Sequence, residues 1–223
     1  MSGRILFVTG TDTGTGKTVF AALLTRHLHR HGQRVAALKP ICSGNRDDAR
    51  ALRAAANNTL SLDEVNPWHF RAALAPLLAA RKERKRVTLA QVTAHIHTLQ
   101  KQFPIVVVEG AGGLLSPLGE GFDSCDLITI LRATPVIVCP NRLGAINHLR
   151  LTLAALPRAA TRRARIVFIN PPRPTIASRT NAALLAEFFD PKRIYQLPWI
   201  TNQKLQPAIE KILAKICRAG DSD

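Results

Sequence analysis

Two rhythms of apolar residues alternate along the chain. Short β-rich apolar runs occupy residues 4–9, 34–38, 105–108, 135–139, 165–169 and 194–197. Runs of this length, apolar on both faces, read as buried parallel strands. Between them, helical spacing of apolar positions covers residues 19–31, about 46–56, 89–102, 122–131, a stretch ending at Leu156, 176–189 and about 203–217. Thr88 stands where an N-cap belongs, just before the apolar periodicity at Leu89. Residues 42–45 read as a loop at the carboxyl end of the second strand, and residues 57–88 as an irregular connection with a short helix. Strand alternating with helix predicts an α/β fold: a doubly wound, mostly parallel sheet with helices on both faces. No repeat, low-complexity tract or linker divides the sequence, so residues 1–223 are expected to form a single domain with a frayed tail at 218–223.

Composition narrows the setting. At 46% apolar residues the chain is typical of a globular protein, and no apolar run approaches a membrane span. The first strand begins almost at once, without the features of a signal peptide. The four cysteines, Cys42, Cys125, Cys139 and Cys217, are dispersed and form no metal-like spacing. Reduced thiols and a cytoplasmic location are the expectation. The seven histidines form no ligand pattern either.

Charge is the unusual quantity. Lys and Arg number 31 against 15 acidic residues, a net +16, with clusters at 81–86 and 158–165. Such a surface attracts polyanions at low salt, or it is simply a solvated basic face. No aromatic residue interleaves with the basic clusters, and the chain has only one Tyr and two Trp, which argues against a stacking platform for single strands. No specific nucleic-acid partner is expected.

The chemistry starts at Val8-Thr9-Gly10-Thr11-Asp12-Thr13-Gly14-Thr15-Gly16-Lys17-Thr18. A strand, a turn of small residues, Gly-Lys-Thr and a helix is the layout of a phosphate-binding loop. Gly10 and Gly16 are one residue further apart than in G-x-x-x-x-G-K-S/T, so the motif departs from the standard spacing. Lys17 can reach the β- and γ-phosphates, and the Thr18 hydroxyl can ligate Mg²⁺. The strand at 105–108 ends in Glu109, followed by Gly110, Gly112 and Gly113. An acid at that position suits a carboxylate beside a nucleotide's metal ion, and the glycines suit close approach to a ligand. Asp47 and Asp48 open a helix, where acidic residues also serve as plain caps. A lone Lys39 after a strand is ordinarily a surface charge; only its place beside the loop marks it.

Taken in order, residues 10–18, 39–44, Asp48, 108–113 and 143–148 resemble the dethiobiotin synthetase family, and so do Asn66-Pro67-Trp68-His69-Phe70 and Ala75-Pro76. The likeness spans about residues 4–200, and the longer glycine spacing is that family's own form. The family usually has Val where Thr15 stands and often Glu where Gly14 stands. The resemblance implies a P-loop NTPase fold and an ATP- and Mg²⁺-dependent ligase. Its substrates would be 7,8-diaminononanoate and CO₂ or bicarbonate, with ring closure through a carbamate and its mixed anhydride with phosphate. It implies catalytic roles for Lys39, Lys17 and Thr13, and nucleotide binding by Thr11, Asp12, Thr13, Gly14, Thr15, Gly16, Lys17, Thr18, Asn170 and Pro198. Mg²⁺ would sit on Thr18, Asp48 and Glu109, with Asp47 the neighbouring alternative to Asp48. The diamine would meet Thr13, Ser43, Gly112 and Gly113. A homodimer is implied, in which Gly144, Ala145, Ile146 and Asn147 bind the substrate carboxylate of the neighbouring subunit.

A partitioning or regulatory ATPase with a deviant P-loop is the competing reading. Those proteins carry a Lys early in the loop, where this chain has Asp12.

Overall fold

A computed structural model describes residues 3–200 and 205–218. In chain order the first half runs β1 (Arg4–Gly10), α1 (Lys17–Arg30), β2 (Val35–Leu38), β3 (Ile41–Ser43), α2 (Asp47–Ala55), α3 (Leu62–Val65), β4 (Trp68–Phe70), α4 (Pro76–Lys82) and α5 (Leu89–Gln102). The second half runs β5 (Ile105–Glu109), α6 (Ser124–Ile130), β6 (Thr134–Pro140), α7 (Ala145–Ala155), α8 (Arg158–Arg163), β7 (Arg165–Ile169), α9 (Ile176–Leu185), β8 (Ile194–Leu197) and α10 (Pro207–Arg218). The tail from residue 219 lies outside the described residues.

A six-stranded sheet in the order β2-β5-β1-β6-β7-β8 forms the centre, with every pairing parallel. Its strands are apolar on both faces because helices cover both. Phe7, Val8, Val106, Val107, Ile137, Val138 and Phe168 are buried in one continuous core with the inner faces of the helices. The order reverses at β1, which has β5 on one side and β6 on the other. Ligands of open α/β sheets bind beyond the carboxyl ends of strands at such a reversal, and the phosphate-binding loop leaves β1 there.

The caps follow the sequence. Thr88 accepts from the Gln91 backbone N–H while the Gln91 side chain accepts from the Thr88 N–H, a reciprocal pair that starts α5. Asp123 and Thr175 start α6 and α9 in the same way. Both of these helices are shorter than the apolar periodicity predicts: α6 begins only after the Asp123 cap, and α9 gives way to a turn after Leu185.

Two local expectations are corrected. Residues 42–45 are not all loop, nor are residues 66–70. Ile41–Ser43 and Trp68–Phe70 pair in parallel as a separate two-stranded sheet, β3-β4. The Asn66 side chain ties this unit to the strand end, donating to the Lys39 carbonyl at 2.7 Å and the Pro40 carbonyl at 3.3 Å. The basic stretch 158–165 is not wholly a surface. Arg165 opens β7 and is buried, and that burial pulls its guanidinium pKa down to about 10.

Candidate active site

At the carboxyl ends of β1, β2 and β5 the chain gathers two lysines, two carboxylates and a helix N-terminus. Gly16 adopts φ +92°, in the left-handed region that favours glycine, and precedes α1 without any side-chain cap. No acidic residue occupies the first turn of α1. Its leading N–H groups therefore remain open to an anion, backed by the partial positive charge of the helix end. Lys17 is buried, and its Nζ donates to the Asp12 carbonyl at 2.7 Å, closing the loop on itself.

Burial pushes the Lys17 pKa down to about 8, and the nearby Lys39 charge pushes the same way. An anion in the loop would restore the protonated form. Triphosphate affinity is therefore expected to hold steady below about pH 8. Above it, affinity should fall by up to ~10-fold per pH unit, as binding must take up one proton. Calorimetric titration across that range checks this; a flat profile would separate Lys17 from phosphate binding.

Lys39 follows β2, whose Leu38 pairs with Val108, so its side chain arrives beside Glu109. Its ammonium sits 2.6 Å from Glu109 Oε1, 2.9 Å from Asp48 Oδ2 and 3.1 Å from the Gly110 carbonyl. The side chain is only 4% exposed. Burial alone would lower its pKa, but the two carboxylates outweigh that and hold it above the ordinary lysine value. Burial works against the charged form of Asp48 as well, yet the Lys39 cation keeps its pKa below the usual range. Burial raises the pKa of Glu109 against the pull of the same cation. Asp47 points elsewhere and pairs with Arg50 at 2.8 Å on the surface.

The Thr18 hydroxyl donates to Glu109 Oε1 at 2.8 Å, while Glu109 Oε2 is buried without a hydrogen-bond partner. A buried, unpartnered carboxylate oxygen beside a hydroxyl and the Asp48 carboxylate is a donor set of hard oxygens, which fits Mg²⁺. Among the described residues no cluster of three or more His, Cys, Asp or Glu forms a metal cage. A cation here would complete its shell with phosphate oxygens and water, as Mg²⁺ commonly does.

A cavity of about 810 Å³ opens over these groups. Thr13, Gly14, Gly16, Lys17 and Thr18 line one side; Lys39, Ser43, Asp48, Glu109 and Gly112 line another. Ala73, Leu74, Ala75, Pro76 and Pro117 add an apolar wall. Gly112 takes φ +69°, and a Cβ there would run into the Ser116 hydroxyl, which accepts from the Gly113 N–H at 2.9 Å. Gly113 itself packs against the backbone of Gly10 and Thr11 rather than lining the cavity.

Across the loop lies a second cavity of about 260 Å³, lined by Thr15, Gly16, Asn141, Arg142, Ile169, Pro171, Trp199 and Ile200 among others. Asn170 lies between two of these residues and bonds a third, accepting from Asn141 Nδ2 at 2.7 Å. Pro198 adjoins Trp199, and the rest of its loop from Thr201 lies outside the described residues. Thr15 is buried, and its hydroxyl has no partner. Thr11 and Asp12 face a third, smaller cavity of about 200 Å³ with Arg142 and His148. Gly144 to Asn147 stand at the start of α7 and do not line the 810 Å³ cavity of their own chain.

Reading the sequence missed the wall at 73–76, Ser116 and Asn141. Asn141 carried a signal, since it directly follows β6 as Asn170 directly follows β7.

Comparison with known proteins agrees with this layout. The model of a family described as "AAA domain" matches residues 4–206. An ATP-dependent dethiobiotin synthetase BioD from Xylella fastidiosa (strain M12) is 40% identical over 164 residues, covering 70% of this chain and 73% of that protein. The protein of the same name from Akkermansia muciniphila is 38% identical over 188 residues, covering 84% and 88%. Among solved structures, a ParA family ATPase from Chlorobium tepidum TLS superposes with a TM-score of 0.56 at 12% identity, covering 100% of this chain and 93% of that one. That likeness is one of fold, the P-loop ATPase arrangement. With relatives this similar over most of both lengths, and with the phosphate loop and its facing acid in place, the chain belongs to the ATP-dependent dethiobiotin synthetase family of ligases.

Proposed function

We propose that this chain closes the ureido ring of dethiobiotin from 7,8-diaminononanoate, CO₂ and ATP. The observation that carries the reading is the Lys39 ammonium, buried in the wall of the cavity that also holds Lys17. Two cations at one pocket suit a reaction in which a carbamate and a transferring phosphoryl group, both anionic, must lie side by side. One amine of the diamine adds to CO₂, forming a C–N bond and releasing a proton. The carbamate oxygen then attacks the γ-phosphorus, and ADP leaves. The second amine attacks the carbonyl carbon of the mixed anhydride, phosphate leaves, and the five-membered urea is complete.

Each residue has a stated part. Lys17 and the N–H groups of residues 14–18 hold the β- and γ-phosphates. Lys39 bridges carbamate and γ-phosphate. Thr13, Ser43 and Gly112 line the diamine site, with Gly113 behind them against the loop backbone, and the apolar wall at 73–76 suits an aliphatic chain. Mg²⁺ held by Thr18, Asp48 and Glu109 would neutralise charge on the phosphates. Asn170 and Pro198 would meet the adenine, beside the cavity of about 260 Å³. In a homodimer, Gly144, Ala145, Ile146 and Asn147 of the neighbouring copy would receive the substrate carboxylate at the N-terminus of α7. Leu143, just before that turn, and Leu151, further along α7, are 88% and 62% accessible in the single chain. The reading takes the chain as a single catalytic domain working in the cytoplasm. No helix among the described residues is long and apolar enough to cross a membrane.

The test is direct. With diaminononanoate, bicarbonate, ATP and Mg²⁺, dethiobiotin should appear by mass, one ADP per product. ATP hydrolysis stimulated by DNA and not by the diamine would overturn the reading and favour a partitioning ATPase.

A further inference from the structure

Asn141 and Asn170 stand side by side because their strands are in register. Pro140 of β6 pairs with Ile169 of β7, so each asparagine is the first residue past its strand. The backbone fixes both positions: the Asn141 N–H donates to the Ile169 carbonyl at 2.8 Å, and the Asn170 N–H to the Leu197 carbonyl at 2.9 Å. A third asparagine, Asn181 on α9, completes a ladder. Asn141 and Asn181 are both buried.

Two backbone carbonyls set the direction of that ladder. Asn181 Nδ2 faces the Arg142 carbonyl at 3.0 Å and Asn141 Oδ1 at 2.8 Å. Asn141 Nδ2 faces the Ser178 carbonyl at 2.8 Å and Asn170 Oδ1 at 2.7 Å. A carbonyl oxygen only accepts, so neither Asn181 nor Asn141 can turn over without setting oxygen against oxygen. The remaining N–H of Asn141 then requires an oxygen from Asn170. Turning Asn170 over would set donor against donor. Its amide is left with one oxygen lone pair and both N–H groups for other partners.

We propose that Asn141 and Asn181 are positioning residues that lock the Asn170 amide in one orientation, so that the neighbouring cavity selects adenine over guanine. This rests on the reading of Asn170 as a base-contacting residue. An acceptor beside a donor matches the adenine edge formed by the N6 amino group and N7. Guanine presents two acceptors there, O6 and N7, and one of them would face the Asn170 oxygen. The cavity of about 260 Å³ has the neighbours of Asn170, Ile169 and Pro171, in its lining together with Asn141 itself. An unlocked amide could turn to meet either purine, so the ladder confers selectivity more than affinity.

The experiment measures ATP and GTP dissociation constants by calorimetry for the wild type, Asn141→Ala, Asn181→Ala and Asn170→Ala, with thermal melting on each. The wild type should prefer ATP by ~10-fold or more, the scale of one bidentate base contact. Asn141→Ala and Asn181→Ala should bring the ratio close to that of Asn170→Ala. A loosened fold would weaken both nucleotides alike and leave the ratio standing, so the ratio separates positioning from stability. A wild-type ratio near one overturns the proposal. So does a ratio that survives both ladder variants and is lost in Asn170→Ala, which leaves the base-contact reading intact. A ratio that survives Asn170→Ala overturns the base-contact reading and the proposal together.

Discussion

Replacing Lys39 with Gln is expected to lower the rate of ring closure by ~10²–10³-fold, the cost of removing one preorganised donor from a developing anion. Nucleotide binding should stay within a few-fold of wild type. Lys17, the α1 N-terminus and the loop backbone are untouched by the change, and in the proposed reading they would supply most of the phosphate contact. The glutamine amide could still donate to Glu109, but it brings no charge to the carbamate. The change has a second consequence. It leaves the Glu109 and Asp48 carboxylates without the cation now 2.6 Å and 2.9 Å from them. Breaking a buried pair by removing one partner costs ~3–5 kcal/mol; the half-exposed Asp48 can turn to water, which places the loss at the low end. The variant should therefore melt earlier and remain folded at room temperature. Single-turnover formation of dethiobiotin, ATP calorimetry and a melting curve together check this. Near-normal turnover would take Lys39 out of the mechanism.

How much of this was legible beforehand depends on how locally each feature is encoded. The central strands were, because a parallel strand covered on both faces must be apolar throughout, and 105–108 and 165–169 are. The α5 cap was, since Thr88 and Gln91 hold it within one turn. The meeting of Lys17, Thr18 and Glu109 at one cavity was legible, because the loop and the acid-tipped strand are each recognisable from local residues. β3 and β4 were not. Each is three residues long, they follow Pro40 and Pro67, and their pairing is long-range, held by backbone bonds and by the Asn66 amide, which bonds the Lys39 and Pro40 carbonyls from 27 and 26 residues away. Arg165 was read both as the start of a strand and as part of a basic cluster; its burial was not legible, because one-dimensional charge says nothing of which basic side chain the packing covers. The choice between Asp47 and Asp48 turns on about 100° of helix rotation. Only the packing of α2 shows that Asp48 faces Lys39 while Asp47 meets Arg50. The asparagine ladder was least accessible, since it needs the β6–β7 register and the placement of α9 at once.

The second large effect belongs to Glu109. Glu109→Gln should abolish the part of nucleotide affinity that depends on Mg²⁺ and lower turnover by ~10²-fold or more, as one charged group leaves both the metal donor set and the Lys39 pair. Gln is nearly the same size and can still accept from Thr18 and Lys39 through its oxygen, so the cavity keeps its shape. What it cannot supply is the second oxygen. In the wild type that atom, Oε2, is buried without a partner, a costly state for a carboxylate oxygen unless a cation completes it. In the variant an NH₂ group takes its place and repels a metal ion. Lys39 then keeps only Asp48 as a full counter-charge, at 2.9 Å and with 47% of the Asp48 side chain exposed. Titrating Mg²⁺ against ATP binding distinguishes the two possible roles of this residue. If Glu109 holds the metal, wild-type affinity rises with Mg²⁺ and the variant shows little response. If it only anchors Lys39, both proteins respond to Mg²⁺ alike and turnover alone falls. That outcome would return Glu109 to a supporting part and leave the metal to Thr18 and Asp48.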